Sequence, residues 1–197
     1  MFEGSLKKGG SDEVVQCALR VCLTPNVRNL AEMKRTVAVL EECRGHPFVV
    51  QLLGRYLIDD CPVVALNRAD CDLFHRLYEA GAAPCANPPL ARKVGDNILS
   101  AVAHLHSLNW SHCDIKPENI LVCRRAGGVI YQLCDMGFVL PLGSRLENLH
   151  GTPQYFPLWG LSPGAMPMTI TPRVDCYTLA LVCAEVSTGV QLKKAQL

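Results

Sequence analysis

Two short polar segments contain the residue types that phosphoryl transfer requires. The first, residues 112–119, includes Asp114, Lys116 and Asn119, and the second includes Asp135. Moving a phosphoryl group requires an acceptor for the proton of the attacking hydroxyl, a cation on the moving phosphate and oxygen ligands for magnesium. A carboxylate, an ammonium, an amide and a second carboxylate can meet these needs together. A single loop aspartate would more often close a turn or cap a helix, so the prediction depends on the combination.

Alternating patterns predict that short strands precede these segments. Apolar residues occupy every second position of residues 15–23 and alternate with Gln16, Ala18, Arg20 and Cys22, which predicts a strand with two differently used faces. Apolar runs at residues 48–53 and 62–66, the first of them directly after a Gly-His-Pro turn signal, predict further strands of a small antiparallel sheet. Because strands come first and helices later, the pattern favours an α+β arrangement.

Helical periodicity appears between the predicted strands and again around the polar segments. Residues 30–40 carry an apolar stripe, and Asn29 followed by Glu32 resembles a capping box. The same spacing over residues 90–105 predicts a long amphipathic helix that leads into the first polar segment. Residues 177–186 are apolar almost all round, which predicts a helix at the centre of a lobe.

Composition limits the classes of protein to which the chain can belong. Nineteen basic and eighteen acidic residues nearly cancel, so we expect neither a nucleic-acid partner nor an anionic membrane partner. The eleven cysteines form no C-x-x-C pair, which argues against structural zinc. Without a signal peptide or a long apolar stretch in the sequence, we expect a cytoplasmic or nuclear protein with free thiols.

The polar segments and several other stretches resemble one family. The sequence HCDIKPENILV, starting at His112, resembles the H-R-D-L-K-P-E-N catalytic loop of protein kinases, and CDMG (134–137) resembles D-F-G. CALR (17–20) stands where the family has V-A-I-K, and GTPQY (151–155) resembles the end of the activation loop. DCY (175–177) resembles the start of the central buried helix. Because all five landmarks follow the family order, the chain is identified as a divergent member of the Ser/Thr branch of protein kinases.

The resemblance implies a fold and a domain organisation. We expect one protein-kinase-like domain over residues 1–197, with two lobes and an α+β fold. The N-lobe, about residues 1–68, would be a small antiparallel sheet with one helix. The C-lobe, about residues 69–197, would be shortened and mainly helical.

The resemblance also assigns roles to the polar residues. Asp114 would orient the substrate hydroxyl and accept its proton, Lys116 would stabilise charge on the transferring phosphate, and Thr152 would bond to both. Asn119 and Asp135 would be ligands of Mg²⁺, and the metal ion would link them to the nucleotide. The implied cofactors are ATP and Mg²⁺, and the implied substrate is a serine or threonine of a protein.

The nucleotide side departs from the family pattern. Ala18 and Leu121 match the positions that sandwich adenine, but both also fit as ordinary core residues. Arg20 replaces the ATP-anchoring lysine, which is not a conservative change; its alternative role is an exposed strand arginine. Counting places Thr36 where the glutamate partner of that lysine should be. We therefore hypothesise that Glu32, one turn earlier, contacts Arg20 at the nucleotide site, with helix capping as its simpler role.

Further departures concern the Gly-rich loop and regulation. Only Phe2 and Gly4 could belong to the end of a Gly-rich loop. Cys113 replaces the arginine that grips a phosphorylated activation loop, and we interpret it as a packing residue and not a nucleophile.

Residues 157–159 (PLW) occupy the A-P-E position, and the sequence ends soon after the central helix. These two features predict an exposed apolar patch to which a partner kinase could bind.

Three functional hypotheses remain open. The first is an active Ser/Thr kinase, because the polar residues of the transfer chemistry are present. The second is an inactive pseudokinase or decoy that binds a kinase or its substrate, suggested by Arg20, Thr36 and the missing phosphate loop. The third is an incomplete gene model or a degraded paralogue. A comparison of Asp114→Asn with the wild type in phosphate transfer separates the first two hypotheses.

Overall fold

A computed structural model describes residues 2–7, 14–24, 26–79, 85–162 and 164–192. The N-terminal part consists of β1 (Phe2–Lys7), β2 (Val14–Val21), α1 (Val27–Glu42), β3 (Leu52–Ile58) and β4 (Cys61–Asn67). Its four strands form one antiparallel sheet in the order β1-β2-β4-β3. This confirms the strands predicted around residues 15–23 and 62–66.

The C-terminal part is built mainly on helices, with short strand pairs between them. Its elements are β5 (Cys71–Asp72), α2 (Pro88–Ser107), β6 (Trp110–Ser111), β7 (Ile120–Arg125), β8 (Gly128–Leu133), β9 (Leu140–Pro141), β10 (Arg145–Leu146), α3 (Leu158–Leu161), β11 (Met168–Thr169) and α4 (Pro172–Thr188). Short helical turns lie at His75–Glu79, Pro117–Asn119 and Met136–Phe138. The two helices predicted here lie within α2 and α4 and are confirmed.

Helix α1 begins earlier than its predicted capping box. Its N-cap is Asn26, whose side-chain oxygen accepts a hydrogen bond from the backbone N–H of Asn29 over 2.9 Å. Asn29 instead donates its side-chain N–H to the carbonyl of Thr24 over 2.9 Å. The predicted pairing of Asn29 with Glu32 as a capping box is therefore wrong. Because the cap lies three residues upstream, the Glu32 carboxylate is free for a contact outside the helix.

The prediction of a strand at residues 48–53 is also wrong in its extent. Strand β3 begins only at Leu52, and the preceding apolar residues form a loop that packs in the core. Val49 makes an isolated parallel bridge to Leu133 at the end of β8, and the Leu133 N–H donates to the Phe48 carbonyl over 2.8 Å. Burial against the C-terminal part, and not pairing within the sheet, accounts for this apolar run.

One hydrophobic core joins the two parts of the molecule. Leu40 from α1 belongs to the same buried cluster as Leu105 from α2 and Val182 from α4. Helices α2 and α4 approach closely at Gly95, where an added Cβ would lie 3.2 Å from the Sγ of Cys183. This packing places the loop after α2 beside the start of α4.

Two polar contacts also connect the N-terminal part to the C-terminal part. The indole N–H of Trp110, at the start of β6, donates to the Glu42 carboxylate at the end of α1 over 3.0 Å. The ring of His46 stacks on that of His104 in α2, with 4.6 Å between their centroids. Both contacts lie where the segment after α1 passes the C-terminal end of α2.

The fold is α+β and kinase-like, with an antiparallel-sheet N-lobe, one N-lobe helix and a mainly helical C-lobe, as the sequence predicts. The division near residue 68 stays a prediction. Within the described ranges, no helix has the length and apolar character needed to cross a membrane.

Candidate active site

A cavity of about 620 Å³ lies between the N-terminal sheet and the C-terminal part. Ala18 on β2 and Leu121 on β7 both line it, and so do Arg20 and Asp135. The structure thus places four of the residues predicted to bind the nucleotide around one cavity. The adenine contacts of Ala18 and Leu121 stay a prediction.

Asp114, Lys116, Asn119 and Thr152 form one hydrogen-bonded cluster. The Thr152 hydroxyl donates to Asp114 Oδ1 over 2.7 Å, and Lys116 Nζ donates to the Thr152 Oγ1 over 2.6 Å. Lys116 Nζ also lies 3.0 Å from Asp114 Oδ2. The side-chain N–H₂ of Asn119 donates to Asp114 Oδ2 over 2.9 Å and to the Asp114 carbonyl over 2.8 Å. Three residues from two separated segments therefore converge on the Asp114 carboxylate.

Asp175, near the start of α4, fixes the backbone just before Asp114. Its Oδ2 accepts from the backbone N–H of His112 over 2.8 Å and from the Ser111 hydroxyl over 2.9 Å. Its Oδ1 accepts from the backbone N–H of Cys113 over 2.9 Å. Burial would raise the pKa of Asp175, but the hydrogen bond from His106, the nearby His112 and the two backbone donors together hold the pKa below its ordinary value. The buried aspartate is therefore ionised and well satisfied.

The second polar segment is tied to the first through His112. The Nε2 of His112 lies 2.9 Å from the Cys134 carbonyl oxygen, and the His112 side chain is fully buried. Asp135 follows with a left-handed backbone at φ +58°, a conformation that aspartate tolerates better than most residues. Its Oδ1 accepts from the Gly137 N–H over 3.2 Å. This geometry turns the Asp135 carboxylate into the cavity.

Arg20 bridges two carboxylates. Its Nη2 donates to Glu32 Oε1 over 2.6 Å, and its Nη1 donates to Asp135 Oδ1 over 2.5 Å. The predicted contact between Glu32 and Arg20 is thereby confirmed, and Asn26 caps α1 in place of a box with Glu32. The role of Arg20 as a nucleotide ligand stays a prediction. An added Cβ at Gly137 would lie 2.7 Å from Glu32 Oε1, so the absence of a side chain there allows α1 to approach the segment after Asp135.

The Arg20 bridge changes the electrostatics of Asp135. Burial would raise the pKa of the Asp135 carboxyl, but the charge of Arg20 and its hydrogen bond more than offset this effect. The pKa of Asp135 is therefore lowered, with smaller contributions from His112 and the Gly137 N–H. The carboxylate stays ionised beside its arginine partner.

Thr36, which counting placed at the glutamate position, is not the partner of Arg20. It lies one turn after Glu32 on α1, is only 3% exposed and lines the cavity. In the part of the chain that the structure describes, its hydroxyl makes no hydrogen bond. The partner of Arg20 comes from the preceding turn of α1, where Glu32 lies. The match of Thr36 to the family's glutamate position stays a prediction.

Asn119 and Asp135 provide atoms that suit a magnesium ion. Among the described residues, Asn119 uses its amide nitrogen and Asp135 uses Oδ1 in hydrogen bonds. Asn119 Oδ1 and Asp135 Oδ2 remain, and hard oxygen ligands of this kind are those that Mg²⁺ prefers. These two oxygen ligands fit the cation. The other carboxylate oxygen of Asp135, Oδ1, is already paired with Arg20.

Cys113 has the properties of a packing residue. The side chain is 4% exposed and packs in a small cluster with Leu146, Phe156 and Ile170. Burial, followed by the charge of Asp175, raises the pKa of its thiol to about 12. A thiol with such a pKa is not a nucleophile at neutral pH.

The sequence motifs assign no role to two buried carboxylates of α4. Asp175 was matched only to a helix start, yet it fixes the backbone of residues 112–113. Glu185 is 2% exposed and accepts from the hydroxyls of Tyr78 and Tyr155, each over 2.7 Å. An acidic residue inside an otherwise apolar helix such as α4 is the signal that could have pointed to both.

The two residues assigned to a Gly-rich loop, Phe2 and Gly4, lie in β1 and pair with β2. An added Cβ at Gly4 would lie 2.6 Å from the Leu19 side chain, so this glycine allows close strand packing. Residues 8–13, between the two strands, lie outside the described residues.

Comparisons with known proteins agree with the geometry. The sequence model of the family described as "Protein kinase domain" matches residues 12–196. Serine/threonine-protein kinase 36 of Mus musculus is 32% identical over 133 residues, which is 65% of this chain and 10% of that protein. Serine/threonine-protein kinase D2 of Rattus norvegicus is 28% identical over 159 residues, or 79% of this chain and 18% of that protein. CBL-interacting protein kinase 22 of Oryza sativa subsp. japonica is 37% identical over 110 residues, 56% of this chain and 24% of that protein. The chain thus spans a quarter or less of these relatives.

Proposed function

Because the chain belongs to the protein kinase domain family, we propose that it transfers the γ-phosphate of ATP to serine or threonine side chains of protein substrates. The observation that supports this proposal is the closed hydrogen-bonded cluster around Asp114. The relatives named as serine/threonine-protein kinases support the substrate class.

One oxygen of the Asp114 carboxylate, Oδ1, has room to accept a proton. Its Oδ2 is engaged by both Asn119 and Lys116, whereas Oδ1 accepts only from Thr152 within the described residues. A carboxylate oxygen has two acceptor positions, so Oδ1 keeps one for the hydroxyl of a substrate. An added Cβ at Gly151 would lie 3.2 Å from Oδ1, so glycine at this position keeps the approach open. Asp114 would orient the hydroxyl and take its proton as the bond to phosphorus forms.

Lys116 and Thr152 would hold the acceptor site in shape. The lysine is half-buried with an exposed fraction of 20% for its side chain, and its ammonium can contact both Asp114 and a phosphate oxygen. ATP would supply the phosphoryl group, and Mg²⁺ would neutralise its charge when bound. Asn119 and Asp135 would hold the cation, and Ala18 and Leu121 would enclose the base in the cavity. The positioning of these groups accounts for most of the catalysis in this class of reaction.

The test is transfer of labelled phosphate from Mg-ATP to a mixture of serine- and threonine-containing proteins, with analysis of the modified residue. Asp114→Asn keeps the size of the side chain but removes the proton acceptor, so we expect the rate to fall by about 10²- to 10⁴-fold. Asp96→Asn, at an exposed position on α2, is the matched control and should transfer at the wild-type rate. Equal transfer by wild type and Asp114→Asn would exclude catalysis by this cluster.

A second candidate function is an inactive kinase-like protein that binds a partner kinase or a kinase substrate. The observation in its favour is that Arg20, and not a lysine, occupies Asp135 Oδ1. The partner would bind near α3, where Leu158 and Trp159 are 68% and 48% exposed. This candidate predicts no transfer by wild type or by Asp114→Asn, together with binding that Leu158→Asp abolishes.

A further inference from the structure

Arg20 keeps several N–H donors unused among the residues that the structure describes. A guanidinium has five N–H donors, whereas an ammonium has three. Two of the donors of Arg20 reach Glu32 and Asp135, and no other hydrogen bond from Arg20 occurs among the described residues. Three donors therefore remain on a side chain that is 29% exposed and lines the cavity. A lysine that held the same two carboxylates would have one donor left.

The charge around Asp135 is already partly balanced without a metal. A bare carboxylate in a nucleotide site repels a polyphosphate, and a divalent cation normally removes this repulsion. Here a permanently charged guanidinium lies 2.5 Å from Asp135 Oδ1. The guanidinium also pairs with Glu32, so it lowers the negative charge of the two carboxylates without cancelling it. Its remaining N–H groups can donate to phosphate oxygens. Arg20 thus reduces the repulsion that a cation would remove and also offers phosphate contacts.

We propose that Arg20 allows the cavity to bind a nucleoside triphosphate without a divalent cation. The phosphate oxygens would take the free N–H groups of Arg20 while its other two N–H groups keep their contacts with Glu32 and Asp135. The proposal rests on the proposed function, because it assumes that the cavity is a nucleotide site. It separates nucleotide binding from transfer, in which Asn119 and Asp135 would still need the metal.

The test measures dissociation constants for ATP carrying a fluorescent group on its ribose, with either MgCl₂ or EDTA in excess. For the wild type, we expect the two constants to agree within about threefold, equivalent to less than about 1 kcal/mol. Arg20→Lys keeps the charge but leaves at most one spare donor in place of three, so its affinity in EDTA should fall by about tenfold or more relative to MgCl₂. Arg55→Lys is the matched control, because Arg55 is 63% exposed and pairs with Glu41 away from the cavity. It should behave like the wild type.

Three results would overturn the proposal, and they differ in what they say about the proposed function. Binding by the wild type only in MgCl₂ would refute metal-independent binding and leave the nucleotide site in place. Equal affinities of Arg20→Lys in both solutions would show that the arginine is not the cause. An absence of binding by the wild type under either condition would refute both this inference and the use of ATP. The shift in melting temperature on adding ATP with EDTA provides a second readout for each variant.

Discussion

Asp114 and Arg20 belong to the two parts of the chain that meet at the cavity, and the two side chains are held in different ways. Asp114 is 2% exposed and lies in a network of hydrogen bonds whose backbone is fixed by the fully buried Asp175. Arg20 is 29% exposed and is held by two ion pairs, to Glu32 and Asp135. Lys116, Asn119 and Thr152 around Asp114 match the family pattern, whereas Arg20 stands where the family has a lysine. The comparison indicates that Asp114 depends on buried hydrogen bonds, while the charge of Arg20 is held by ion pairs that solvent can reach.

The largest expected effect is at Asp175. Asp175 Oδ2 contacts three groups, the ring of His106, the Ser111 hydroxyl and the His112 N–H. In Asp175→Asn, an N–H₂ group replaces one of the two carboxylate oxygens. This group cannot accept hydrogen bonds, so at least one buried donor loses its partner. We expect the free energy of unfolding to fall by about 3 kcal/mol, as measured by urea denaturation. The exposed control Asp96→Asn should change it by less than about 0.5 kcal/mol.

The same variant should change the response to acid. Because the pKa of Asp175 is lower in the folded protein than in the unfolded chain, its stabilising contribution is present above about pH 4 and is lost as pH falls through the folded pKa. The stability of Asp175→Asn should therefore decrease less on acidification below about pH 4 than that of the wild type. An unchanged acid response with full stability would contradict the view that this carboxylate anchors the backbone at residues 112–113.

A smaller effect is expected from breaking the ion bridge. Glu32→Gln removes one of the two charges that hold Arg20, and its side chain is 34% exposed. Because solvent screens the pair, we expect a loss of no more than about 1 kcal/mol in the same urea experiment. Glu41→Gln, which removes the exposed pair with Arg55, is the control and should have almost no effect. A loss as large as that of Asp175→Asn would remove the contrast between the two regions.

The smallest effect, and one of opposite sign, is expected at Thr36. Its buried hydroxyl has no hydrogen-bond partner within the described ranges, so Thr36→Val should stabilise the protein by up to about 1 kcal/mol. Thr178→Val is the matched control, because the Thr178 hydroxyl is equally buried but donates to the Asp175 carbonyl over 3.0 Å. It should destabilise the protein. The melting temperature of each variant measures the effect. If both variants shift it in the same direction, the Thr36 hydroxyl does not behave as a buried polar group without a hydrogen-bond partner.

The fold class and the cluster around Asp114 were accessible from the sequence, because contiguous motifs specify both. Asp114, Lys116 and Asn119 lie within six residues of each other, and Thr152 lies in a second recognisable motif. The contact between Arg20 and Glu32 stayed a hypothesis at the level of sequence, because Glu32 could also cap a helix together with Asn29. Only the structure places the cap at Asn26. Asp175 was missed because its hydrogen bonds span more than sixty residues, a distance over which no local pattern operates.

The hydrogen bond between Trp110 and Glu42 gives the molecule an internal optical reporter. The chain has two tryptophans, and the other, Trp159, is 48% exposed on α3 beside Tyr177. The Trp110 indole lies at the junction of the two parts of the chain, with its N–H on a carboxylate of α1. Any movement of α1 away from the strand that precedes the catalytic loop changes the surroundings of this ring, so its emission records that movement without an added dye.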